Sequence, residues 1–248
     1  HGLTYLREGT KLVNDRDMTL ADVQLVTNAK LENAAGSSLT AGKITVQGAG
    51  ASIANLSNDA GYGTFTAESV SLSEGASLVN NGGDMLLNAG EGYNATTADA
   101  STIQNINGIV NFGEELSLKN ASSFTNQGFA QATWVNVNDS SIDNQFGSLE
   151  IGTLDVRNGS LDNRTGTVNV RNQFNLYEGE LTNQGQFTVH GLTYLREGTK
   201  LVNDRDMNLS NVRLTDNSTL ENTLGSDLSI GSIVTSAEVG NIVGTILN

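Results

Sequence analysis

The sequence predicts an all-β chain: a right-handed parallel β-helix of about 12 coils, each of roughly 20 residues, three short strands and an internal asparagine ladder. Three observations predict it. A Leu-x-Asn tripeptide returns eleven times at a nearly constant spacing. Apolar residues fall two apart, in short pairs. Glycine marks the intervening corners, and proline is absent.

The tripeptide, with Ile or Phe sometimes replacing Leu, ends at Asn14, Asn33, Asn55, Asn80, Asn105, Asn126, Asn144, Asn163, Asn183, Asn203 and Asn222. The steps from each Asn to the next stay close to one value, and only Asn55 to Asn80 and Asn80 to Asn105 are clearly longer. A period of this size, held along a chain, marks a solenoid in which each repeat is one winding stacked on the last.

Residues 144–163 show one winding plainly. After Asn144 the apolar positions are Leu149, Ile151, Leu154, Val156 and Leu161. The next winding offers Val168, Val170, Phe174, Leu176 and Leu181; the one after Asn203 offers Met207, Leu209, Val212, Leu214 and Leu220. A separation of two puts both side chains on one face of a strand, whereas a helix needs separations of three and four. Each winding therefore reads as three short strands around an apolar interior. Glycine follows the Asn at Gly36, Gly82, Gly108, Gly128, Gly147, Gly166, Gly185 and Gly225, and precedes the Leu at Gly159, Gly179 and Gly198. Its access to positive φ suits sharp corners. Parallel crossovers are right-handed in nearly all proteins, which sets the expected hand.

The Asn lies two residues beyond an inward Leu, so its carboxamide also turns inward. A buried amide needs partners for two donors and an acceptor. Identical side chains stacked about 4.8 Å apart can supply them to one another.

The period runs end to end, so residues 1–248 read as one elongated domain. Within it, residues 1–18 return unchanged as residues 190–207. The step from Asn14 to its copy Asn203 spans nine windings, making 1–189 one block and 190–248 the start of a near-identical second. The last segment, from Val239 to Asn248, reads as a shortened twelfth winding with Gly244 in the Asn place. The uncapped ends are expected to favour end-to-end self-association.

The net charge is −14, with 13 basic residues scattered along the chain. That balance argues against nucleic acid as a partner, and the absence of a long apolar run argues against membrane insertion. The chain has no cysteine and two histidines, His1 and His190, which occupy the same place in the two blocks. Metal sites built on those residues and a duplicated catalytic His are therefore not expected, and no cofactor is implied.

The pattern Gly159-Ser-Leu-Asp-Asn163-Arg-Thr-Gly166-Thr-Val168, with Gly179-Glu-Leu-Thr-Asn183-Gln-Gly185, resembles the repeats of filamentous haemagglutinin-like exoproteins. The resemblance implies a stalk or repeat segment of a large secreted or cell-surface adhesin or fibre of a Gram-negative bacterium. Its implied partner is a cell-surface glycan or protein receptor. An autotransporter passenger would share this build.

The two longest windings, Asn55 to Asn80 and Asn80 to Asn105, carry extra segments, 56–63 and 88–100, which contain Tyr62 and Tyr93. These tyrosines and the single tryptophan, Trp134, are the candidate glycan contacts, weighed against plain loop variation and, for Trp134, lateral packing on a neighbouring Tyr or Lys. Asn14-Asp-Arg-Asp17 and its copy Asn203-Asp-Arg-Asp206 offer oxygen ligands for calcium, but the intervening Arg favours local charge pairing. A polysaccharide lyase or hydrolase is the rival reading, with Glu74, Glu114, Glu115 and Asp139 as the available carboxylates. A groove lined by carboxylates and a Lys or Arg would favour it.

Overall fold

The computed structural model describes residues 2–59, 61–88, 94–235 and 245–247. Every described element is a strand, and the strands coil into a β-solenoid of about eleven turns. Pairing between windings is parallel and in register, so that like residues stack: Ile142 faces Leu161, and Asn144 faces Asn163.

Three faces enclose the core. The first carries the Leu-x-Asn strands, stacked in sequence order from Lys11–Asn14 to Thr219–Asn222. Strand Thr245–Leu247 adds a twelfth rung, setting Ile246 opposite Leu220. This corrects the place assigned to Gly244: Ile246-Leu-Asn248 is itself a further copy of the tripeptide.

The second and third faces form one 15-stranded sheet rather than two. In eight windings a single strand of nine to eleven residues, such as Phe129–Asn138 or Thr167–Tyr177, runs through the corner between them. The expected break into separate strands occurs elsewhere, as between Asp84–Leu87 and Ala95–Asp99. A bend can replace a turn here because the chain keeps its ladder bonds on both sides. The cost is a local irregularity: the register shifts between Ile151 and Thr153, where Arg171 and Asn172 on the next winding face the single residue Gly152.

Every apolar residue assigned inward by the pattern in the three windings above is no more than 3% exposed. Phenylalanine rings meet edge-on in the core, Phe174 against Phe187 of the next winding at 5.5 Å and Phe112 against Phe124 of the same winding at 5.4 Å. Burial of each such side chain contributes about 1.5–3 kcal/mol, and stacking repeats that gain winding after winding.

Candidate functional site

The carboxamide column is continuous. Each ladder Asn donates from Nδ2 to Oδ1 of the Asn one winding later, from Asn14→Asn33 through Asn203→Asn222, at 2.7–3.0 Å in all ten links. The same nitrogens bond the carbonyls that turn the corner, for example Asn80 to Gly83 at 2.7 Å and Asn105 to Phe129 at 2.9 Å. A buried polar group left unmade costs about 1–3 kcal/mol, so this closure is what lets Asn occupy the interior. The column is structural; it presents nothing to a ligand.

The ladder also explains the glycines. Among the eight that follow the Asn, only Gly36, Gly82 and Gly225 have positive φ, at 76°, 78° and 88°. The others answer to space. A Cβ at Gly147 would stand 2.1 Å from Asn126 Nδ2 and 2.6 Å from the Gly128 carbonyl oxygen. On the opposite corner, Gly198 has φ 72°, but at Gly159 and Gly179 the left-handed residue is the preceding Asn158 or Glu178. There a Cβ on Gly159 would meet the Ser140 carbonyl at 2.6 Å.

Of the predicted contacts, Tyr62 is 71% exposed on a small antiparallel excursion in which Ser57 faces Tyr62. Tyr93 lies outside the described residues. Trp134 is 46% exposed and points outward as expected. Its register neighbours are Glu115 and Thr153, not Tyr or Lys, and among the described residues no aromatic ring or cation stacks on it.

The calcium reading finds no support: Asn14 and Asn203 turn their amides into the ladder. The alternative of charge pairing is also corrected, since among the described residues neither Arg16 nor Arg205 forms an ion pair. Glu74 accepts a bond from Gln47, Glu115 from Asn136, and Asp139 from Asn138 and Asn158. They sit on separate windings and do not assemble into one centre. His190 lies exposed on strand Gln186–Arg196.

Glu114 differs. It borders a groove of about 560 Å³ at the corner between the second and third faces. Asn111, Gln131 and Glu150 form one wall, stacked in register on consecutive windings, with Arg171 above them. Glu114, Thr133 and Asn172 form the other. Ala132 and Gly152 leave the floor low, and a Cβ on Gly152 would stand 2.4 Å from the Thr133 carbonyl. Glu150 is fixed by Asn169 at 3.0 Å and by Arg171 at 3.4 Å. The sequence carried a signal for this column: polar residues recur five or six places after the ladder Asn at Asn111, Gln131, Glu150 and Asn169.

A second strip went unread in the sequence. On the third face, Arg157, Tyr177, Arg196, Tyr194 and Arg213 interleave, with guanidinium-to-ring distances of 4.9, 5.7, 4.8 and 5.9 Å. Register places each cation beside a ring one winding away. Such contacts contribute about 0.5–1 kcal/mol each at exposed sites.

Comparisons with protein-family models, curated proteins and solved structures find no match to this chain.

Proposed function

We propose that this chain is a shaft segment of a large secreted or cell-surface bacterial adhesin or extracellular fibre, one that lies outside a Gram-negative outer membrane and mediates adhesion or aggregation. The observation that carries the reading is the unbroken amide column running through every winding from Asn14 to Asn222, in a chain whose opening segment, 1–18, recurs unchanged as 190–207. A column that repeats with its surroundings suits a rod lengthened by adding blocks. The resemblance of its repeats to filamentous haemagglutinin-like exoproteins supports the same reading. The partners we assign are a surface glycan or protein receptor, and other copies of the chain through end-to-end contact.

Beads coated with the chain test this. They should be retained on host-cell monolayers and should cluster with one another. Retention and clustering no greater than for albumin-coated beads would reject the adhesive role.

A polysaccharide lyase or hydrolase is the second reading, favoured by the groove that gathers Glu114, Glu150 and Arg171. Release of new reducing ends or unsaturated sugars from a polysaccharide panel, lost in Glu150→Gln, would replace the first reading with this one.

A further inference from the structure

We propose that the groove between the second and third faces binds an uncharged linear polysaccharide, with Trp134 as the stacking platform on its rim. The inference supplies the adhesive reading with a ligand and rests on that reading only for its biological purpose.

Shape comes first. The wall residues Asn111, Gln131 and Glu150 come from three stacked windings, and Arg171 from a fourth. Windings repeat about 4.8 Å apart, so the groove is a channel of roughly 14 Å along the axis. A channel of that form accepts an extended chain better than a compact molecule. Its floor stays open for a steric reason, since no side chain fits at Gly152.

Chemistry narrows the ligand. Asn111, Gln131 and Asn172 offer amide donors and acceptors, the pairing that neighbouring sugar hydroxyls require. Glu150 adds a carboxylate oriented by Asn169 and Arg171. Thr133, on the wall, leads directly into Trp134, which lies just outside the lining residues; its side chain is about half-exposed, and among the described residues no ring or cation stacks on it. A flat apolar ring beside convergent polar groups is the usual composition of a small-molecule cleft, and the ring suits the apolar face of a sugar.

Charge excludes the obvious rival. Glu114 and Glu150 face a single cation, Arg171, which already pairs with Glu150, in a chain of net charge −14. A polyanion would meet repulsion there.

The test uses the one tryptophan of the chain as a reporter. Cellohexaose, laminarihexaose, chitohexaose and mannohexaose are titrated against the whole chain, with hyaluronan and heparin as polyanions. At least one neutral hexasaccharide should shift Trp134 emission saturably, with little dependence on salt. By calorimetry, Trp134→Ala should weaken that ligand about fivefold to tenfold, and Glu114→Gln should weaken it measurably, while Tyr62→Ala leaves it unchanged. Circular dichroism should be unaltered in all three. The proposal falls if no neutral hexasaccharide binds, if only the polyanions bind, if Trp134→Ala binds as the parent does, or if the sugar is shortened during titration. Bead adhesion is scored separately. Adhesion that persists in Trp134→Ala overturns the groove as its ligand site and leaves the shaft reading standing. Sugar binding without bead adhesion upholds the groove and rejects the adhesive role.

Discussion

Residues 2–18 and 191–207 have the same sequence and different surroundings. In the second copy Leu195, Leu201 and Met207 are buried, and Tyr194 is half-covered. In the first copy their counterparts Leu6, Leu12 and Met18 are only partly buried, and Tyr5 is exposed. The difference is one winding. Strand Lys200–Asn203 has a neighbour on each side, whereas among the described residues Lys11–Asn14 pairs only with Lys30–Asn33. Burial in a solenoid therefore belongs to the stack and not to the winding. Two features survive in both copies: the buried ladder Asn, Asn14 or Asn203, and the diagonal ion pair, Lys11–Glu32 at 2.8 Å or Lys200–Glu221 at 3.3 Å.

Pairs of matched substitutions sharpen that contrast. Leu201→Ala should cost about 2–5 kcal/mol, as expected for a large-to-small change in a packed core, and Leu12→Ala markedly less. Local hydrogen exchange in each winding is the suitable measurement, because solenoid stability is a sum over neighbours. Equal losses at both sites would show that the first copy is as tightly packed as the second. Asn203→Ala should cost about 3 kcal/mol, since it removes two ladder links, from Asn183 and to Asn222, together with the bonds from its own nitrogen to the Arg205 and Asp227 carbonyls. Asn14→Ala removes one ladder link and should cost about 1 kcal/mol by the same measure.

How these sites could be read in the sequence follows from the same physics. The Leu-x-Asn period exposed the windings because each position faces its own copy one turn later. The corner glycines were visible, but their purpose was not. Gly147 is required by an Nδ2 atom from another winding, and nothing within its own winding demands it. The groove was hidden for a related reason. Glu114 stood out as a carboxylate, yet Gln131, Glu150 and Arg171 reach it from successive later windings, and only the bend at Thr133 and Gly152 makes the corner concave. The Arg–Tyr strip required the register of the third face, which the extra residue at Asn172 displaces.

Two smaller effects complete the series. Gly147→Ala should destabilise by about 1–3 kcal/mol through overpacking against the ladder, read as a lower denaturation midpoint. A neutral result would mean that the amide column gives way easily. In the opposite sense, Thr193 is fully buried between Phe174 and Val212, and its hydroxyl has no hydrogen-bond partner. Thr193→Val should raise stability by about 1 kcal/mol. The same change at its counterpart Thr4, which is only half-buried, should do little.

The amide column has a direction. Every carboxamide turns its oxygen toward the amino-terminal side and its nitrogen toward the other, from Asn14 onward. The rod is thus an arrow, with ends that are chemically unlike. Two copies meeting at their Asn14 ends would oppose oxygen to oxygen, whereas tip-to-tail contact would continue the series. Any filament assembled in that way would inherit a single polarity, as a chain of magnets does.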